Sequence, residues 1–331
     1  MFSLVLCTVV SVVFSTWLPL QVSIITVFLF AGPHNWFEFR YFLTRMPVRF
    51  GKSRNFFLTA FAGIGVLTSL YISLPLLFTL VTWSDASWSF IIASWNSLLL
   101  AWLGTLVWLR SKQKNKSDWT WLAPVFLAVG ALNWLAPMFF SLAIVYLHPV
   151  VALWFLDRHL SRTRPQWLRP YRQFLCLLPV CLGLMVWRLS QTPALPDDNG
   201  LFWRITQHSG AELFPWLSSH MLVSVHLFLE MLHYGVWVIA LPLIAPLART
   251  SNSPTKHSGL RHRVWNVNSV PLASHPRGFP RLSAGLLIAA SVLVVVLWFG
   301  FSLDYETTRD IYFTVAIAHV LAEAPFLLKM L

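Results

Sequence analysis

Apolar runs of about membrane-span length recur from one end of the chain to the other, and this feature decides what the chain can fold into. About 20 consecutive apolar residues cross the roughly 30 Å of bilayer hydrocarbon. Runs of that kind lie at 2–31, 55–83, 88–109, 119–134, 137–157, 174–190, 214–247, 284–303 and 310–331 of the 331 residues. Hydrocarbon offers no water to backbone amides, so such runs fold as helices that satisfy their own hydrogen bonds. The expected fold is therefore all-α: a polytopic integral membrane bundle of about nine transmembrane helices (eight to nine), forming one domain over 1–331. Composition excludes a soluble globule, because only 11% of residues are charged and 57% are hydrophobic, against roughly 25% charged in soluble domains.

The net charge of +12 would raise the question of nucleic acid in a soluble protein. Here the cations sit in short loops, so topology accounts for them and no nucleic-acid partner is expected. Arg40 to Arg54 holds five basic residues, Arg110 to Lys116 four, Arg158 to Arg172 five and Arg249 to Arg281 six. By the positive-inside rule these loops face the cytoplasm, and the acidic loops around Asp85, Asp197–Asp198 and Asp304–Glu306 face the other side. The expected location is a bacterial inner membrane, plasma or thylakoid. Leu135-Ala136-Pro137 reads as the hinge of a tight hairpin. Residues 249–282, rich in Ser, Pro, Asn and Arg without periodicity, read as a mobile basic cytoplasmic linker. Most of the eighteen Trp read as an interfacial belt. The three cysteines, Cys7, Cys176 and Cys181, lie in apolar stretches and imply no disulfide framework. The N-terminal run has no basic leader region and reads as a retained span.

Ionisable residues inside spans are expensive, so each needs a partner or a purpose. Of five glutamates, three lie four residues after a histidine: His34 with Glu38, His226 with Glu230, and His319 with Glu323. Eleven histidines placed by chance would precede roughly 0.2 of those glutamates at that spacing, and i and i+4 share a helix face. His233 extends the second pair, so His226, Glu230 and His233 form one stripe, with Ser219 and Trp237 on the same line. Two physical readings fit a single pair: mutual neutralisation of buried groups, or ligands to a metal. Three pairs on three helices favour a metal site built from facing helices. In the charge-derived topology all three pairs reach the middle-to-cytoplasmic depth. His148, beside Pro149, falls at similar depth and is a fourth candidate. The expected metal ligands are thus His34, Glu38, His148, His226, Glu230, His233, His319 and Glu323, with Glu230 and Glu323 as candidate catalytic carboxylates. His159, beside Asp157 at a basic span end, reads as interfacial or capping, His208 as a loop residue, and His257, His262 and His275 as solvated linker residues.

The acid four residues after His34 at the first span's exit, the paired donors on a central helix and the mid-helix His319 on the last span resemble the Brp/Blh family of bacterial membrane β-carotene dioxygenases. That family has His-Gly-x-x-Asp at its first site, where this chain has His34-Asn35-Trp36-Phe37-Glu38. Its central His-x3-His corresponds to His226-x3-Glu230-x2-His233. The resemblance implies His34, His226 and His319 as iron ligands.

Three function classes follow from these residues. The leading one is a non-haem iron oxygenase or oxidoreductase holding one or two Fe ions, acting on a lipophilic substrate such as a carotenoid, another isoprenoid or a lipid taken from the bilayer, with an electron donor that is not readable. The second is a zinc-dependent intramembrane lipid hydrolase in which a spare Glu acts as base. The third is non-enzymatic, a haem-binding or proton-coupled transport protein.

Overall fold

The computed structural model describes residues 2–80, 82, 84–113, 119–244, 270–276 and 278–330. Among these residues every regular element is helical and no strand occurs. Seven helices are long and apolar enough to cross a membrane: Gly51–Leu77, Asp85–Gln113, Pro137–Thr163, Pro165–Leu189, Ser219–Ile244, Pro280–Leu303 and Tyr305–Met330. The helical membrane class is as expected, while two of the nine expected spans fall short.

Both shortfalls have local causes. The first apolar run divides into Phe2–Trp17, whose 16 residues are short for a crossing, and Pro19–Arg45, which has 27 residues but carries His34, Asn35, Glu38, Arg40 and Arg45 in its second half. Pro19 occupies the first helical position, where its missing N–H costs nothing, and Leu18 leaves the helical region at φ −134°, ψ 54°, as residues before proline tend to do. The helix Leu122–Leu135 has 14 residues, about 21 Å at 1.5 Å per residue, which is short for a crossing. It stops at Ala136 (φ −150°, ψ 68°), the position read as a hinge.

Two segments read as irregular are partly ordered. Residues 249–269 and Arg277 of the expected linker lie outside the described residues, but Pro271–Ser274 is helical and the next helix starts at Pro280. Both prolines sit in the first turn of a helix rather than interrupting one. Val270, Leu272 and Ala273 are buried with Trp36, Leu43 and Leu287. The acidic loop after residue 190 contains the helix Gly200–His208, capped by the Asn199 side chain, which accepts from the Phe202 amide at 2.8 Å.

The chain divides into two compact units, Met1–Val48 with Tyr146–Glu306, and Arg49–Val145 with Thr307–Leu331. The first is built around Ser219–Ile244, the most buried of the seven spans. Helices Phe2–Trp17, Pro19–Arg45 and Leu177–Leu189 pack against it, and His220 Nε2 donates to the Thr16 carbonyl at 2.9 Å. Pro19–Arg45 also packs on Pro280–Leu303. They approach so closely that a Cβ on Gly32 would lie 2.9 Å from Val294 Cγ1. Trp36 Nε1 donates to the Leu287 carbonyl at 3.3 Å and Trp298 Nε1 to the Phe28 carbonyl at 2.9 Å. These contacts set the rotation of the helix that carries His34 and Glu38.

The second unit packs Arg54–Leu80 on Asp85–Gln113, and the latter on Leu122–Leu135. Its core holds Phe56, Phe57, Leu67, Trp95, Leu99, Trp102, Leu106 and Leu321. Trp95 and Trp102 donate to the carbonyls of Leu67 and Thr59 at 3.1 and 3.0 Å. These two indoles and Trp36 are buried, and each N–H reaches a neighbouring helix's carbonyl. Asn96 and Asn133, both fully buried, pair at 2.8 Å, and Asn133 also donates to the Ala93 carbonyl at 2.8 Å. Arg110 donates to the carbonyls of Leu328 and Lys329 at 3.1 and 3.0 Å and so satisfies the end of the last helix.

Gly63 faces Trp102 so closely that an added Cβ would overlap the indole nitrogen. Gly63→Ala is therefore expected to displace Trp102 from the Thr59 carbonyl and to destabilise the protein by about 1–3 kcal/mol, the usual cost of overpacking. A lowered melting temperature in detergent, with the adjacent Gly65→Ala close to wild type because nothing lies within 4 Å of its Cβ position, checks this.

Candidate metal centre

Pro19–Arg45 places His34 and Glu38 one turn apart on one face. Ser219–Tyr234 supplies His233. Each of the three offers one ligand atom, a ring nitrogen or a carboxylate oxygen, and these atoms lie within 4.8 Å of one another. The side chains are sealed from solvent, at 1%, 1% and 2% exposure. Pro137–Thr163 adds His148, which has a ligand nitrogen within 4.8 Å of that of His233 and a ring centroid 4.5 Å away. Donors bonded to one ion at about 2.0–2.2 Å stand at most about 4.4 Å apart, so shifts of a few tenths of an ångström would bring His34, Glu38 and His233 onto one ion.

Two details suit ligation. His34 Nδ1 lies 3.1 Å from the Phe30 carbonyl, which only accepts. Nδ1 therefore carries the hydrogen, and in the neutral ring Nε2 presents the lone pair, the outer-sphere arrangement usual for a ligating histidine. A carboxylate as deep as that of Glu38 is tolerated only in the company of a proton, a cation or several donors.

A helix irregularity abuts each histidine. Pro33 precedes His34, Pro149 follows His148, and a π-helical turn, Gly235–Ala240, begins two residues after His233. Prolines and π-turns re-aim side chains along an otherwise uniform helix. The π-turn carries Trp237, fully buried against Tyr41, Phe42 and Phe155 at centroid distances of 5.5, 5.9 and 5.5 Å. Tyr234 stacks 4.6 Å from His34. An aromatic wall thus closes this side against water.

The expected stripe on the central helix divides. His226 and His233 are seven residues apart, about 10.5 Å along the axis, too far for one ion. His226 faces His208 at 5.1 Å and Tyr146 at 5.5 Å, and neither His226 nor Glu230 belongs to a metal-competent grouping among the described residues. Glu230 accepts from the Tyr234 hydroxyl at 2.8 Å. His319 and Glu323 lie one turn apart on Tyr305–Met330 of the second unit, with Glu323 buried.

His159, read as interfacial or capping, is buried at 3% exposure. Its Nδ1 accepts from Arg45 at 2.9 Å, while Asp157 accepts from Arg172 Nε and Nη2 at 2.9 and 3.2 Å. His275 is exposed, as expected of a solvated residue, and His257 and His262 lie outside the described residues. The sequence reading missed Tyr234, whose place four residues after Glu230 was the available signal, and His208, which lies at the end of a helix rather than in a loop.

No family model, curated protein or solved structure matches the chain.

Proposed function

We propose that the chain is a membrane-embedded non-haem iron oxidoreductase acting on a lipophilic substrate, such as a carotenoid, another isoprenoid or a lipid. The observation that carries this reading is the convergence of His34, Glu38 and His233, with His148 beside them, in a buried site within one unit. Imidazoles with one carboxylate are the donor set of non-haem Fe(II) oxygenases. Iron held there would supply oxygen activation next to the substrate. The protein's part is to hold the donors neutral or anionic as required, and to keep water away with Tyr234 and Trp237. Glu230, one turn before His233 and hydrogen-bonded to Tyr234, handles protons. Neighbouring rings at 4.6 Å from His34 and 4.5 Å from His233 occupy the space a porphyrin would need, which favours a bare ion over haem. The resemblance to the Brp/Blh family supports iron and a carotenoid-like substrate.

Elemental analysis of purified protein tests the metal. About one iron per chain, without the intense visible band of haem, is the expected result. Zinc alone would replace the oxidoreductase reading with the hydrolase, and no metal after reconstitution would end both.

We further place the basic loops at the cytoplasmic face of a bacterial inner membrane, on the strength of their charge. Reporters fused after Lys116 and within 249–282 should both signal cytoplasm, and one near Asp197 the opposite side. An opposite signal after Lys116 would mean that the 14-residue helix Leu122–Leu135 does not cross.

A further inference from the structure

The second unit carries a groove that the metal chemistry does not use. It runs between Asp85–Gln113 and Leu122–Leu135 and encloses about 600 Å³, within the roughly 300–1,000 Å³ of small-molecule sites. The two helices are pinned together at one level by the buried Asn96–Asn133 pair. The groove begins next to that pin, at Ser97 and Gly130, and extends to Ser111 and Trp119. From Ser97 to Ser111 is about 21 Å of helix, longer than the roughly 15 Å of one bilayer leaflet's hydrocarbon. Its lining is almost wholly apolar, and open space faces Gly104 and Gly130, where an added Cβ would meet nothing within 4 Å.

The far end is basic. Lys112 Nζ stands 3.7 Å above the ring of Trp108, a lining residue. Arg110 and Lys112 lie in the last turn of Asp85–Gln113; the sequence continues with Lys114 and Lys116, and no Asp or Glu occurs between Asp85 and Asp118. A slot of acyl-chain length that ends at a cation is complementary to a lipid with a negative headgroup.

We propose that this groove binds one acyl chain of an anionic phospholipid, with its phosphate at Lys112 and its chain running past Gly104 and Gly130 towards the Asn96–Asn133 pin. A basic span end alone would attract anionic lipid diffusely. The groove adds a defined chain site, so binding should be one per protein and sensitive to changes in the groove as well as to charge.

Native mass spectrometry of the full chain, titrated with phosphatidylglycerol or phosphatidylcholine, tests this. Wild type should retain one phosphatidylglycerol with at least a tenfold preference over phosphatidylcholine. Gly104→Phe, which puts a ring into the groove, should lower occupancy by both lipids at least tenfold with the circular dichroism spectrum unchanged. Gly130→Phe makes the same test from the other helix. Lys112→Gln, at the exposed end, should reduce the headgroup preference several-fold while chain binding persists, and it reads the charge arm even if neither Phe variant folds. Equal binding of the two lipids by wild type, or undiminished occupancy in folded Phe variants, would overturn the proposal. So would loss of a dimer in those variants with lipid binding intact, because the groove would then be a contact between two copies of the chain.

Discussion

His233→Ala is expected to lower the protein's affinity for iron by more than about 100-fold, whereas His226→Ala should change it only a few-fold. Both histidines lie on the same helix face and both are buried, so a general packing defect would affect the two variants alike. Of the two, His233 is the one with a ligand atom within 4.8 Å of those of His34 and Glu38. Loss of an outer-sphere partner costs roughly 10–100-fold in metal affinity, and loss of a ligand should exceed that. Glu38→Gln keeps the side-chain volume while removing the anion, so it separates ligation from the cavity left by a truncated histidine. Metal titrations of folded protein, scored with His275→Ala as the exposed control, give the comparison. Equal affinities in the His233 and His226 variants would remove the proposed centre. The same titration on His319→Ala and Glu323→Gln tests the expectation from the sequence for the second unit's pair.

The second large effect concerns oxygen. In a host supplied with carotenoids and other lipophilic candidates, product should form in air, fall at least about 100-fold under argon, and carry label from isotopic O2. Iron held by imidazole and carboxylate would supply oxygen chemistry, and Tyr234 and Trp237 are buried on the same helix as His233. A zinc hydrolase would show the reverse pattern: turnover indifferent to argon, with one Glu→Gln variant keeping its metal and losing roughly 100-fold in rate. Product formed equally well without oxygen would exclude the oxidoreductase reading.

The difference between His226 and His233 also shows what can be read without the fold. The i, i+4 spacing of His34 and Glu38 is a property of one helix, so their shared face was legible from the residues alone. Equally legible were the helical class, seven of the spans and the break at Ala136, because each depends on local hydrophobicity or on proline. Which end of the His226–His233 stripe meets the helix that carries His34 and Glu38 was not legible, since a helix presents the same face over its whole length.

Burial of tryptophan was hidden for a related reason. An indole in an apolar run suits the membrane interface or a helix–helix contact equally well. For Trp36, Trp95 and Trp102 the deciding partner is a carbonyl 251, 28 or 43 residues away in sequence. The partner of His159 was hidden in the same way, since Arg45 reaches it across 114 residues.

The amino-acid sequence by itself therefore determined an all-helical membrane protein carrying an improbable set of buried His and Glu donors. The tertiary structure alone decided that His34, Glu38 and His233 converge, with His148 against His233, while His226 turns to His208. Helical periodicity repeats every 3.6 residues and is written locally. The axial register of one helix against another depends on side-chain fit at contacts such as Gly32 against Val294 and Trp36 against Leu287, which join residues far apart in the chain and leave no periodic trace in either helix.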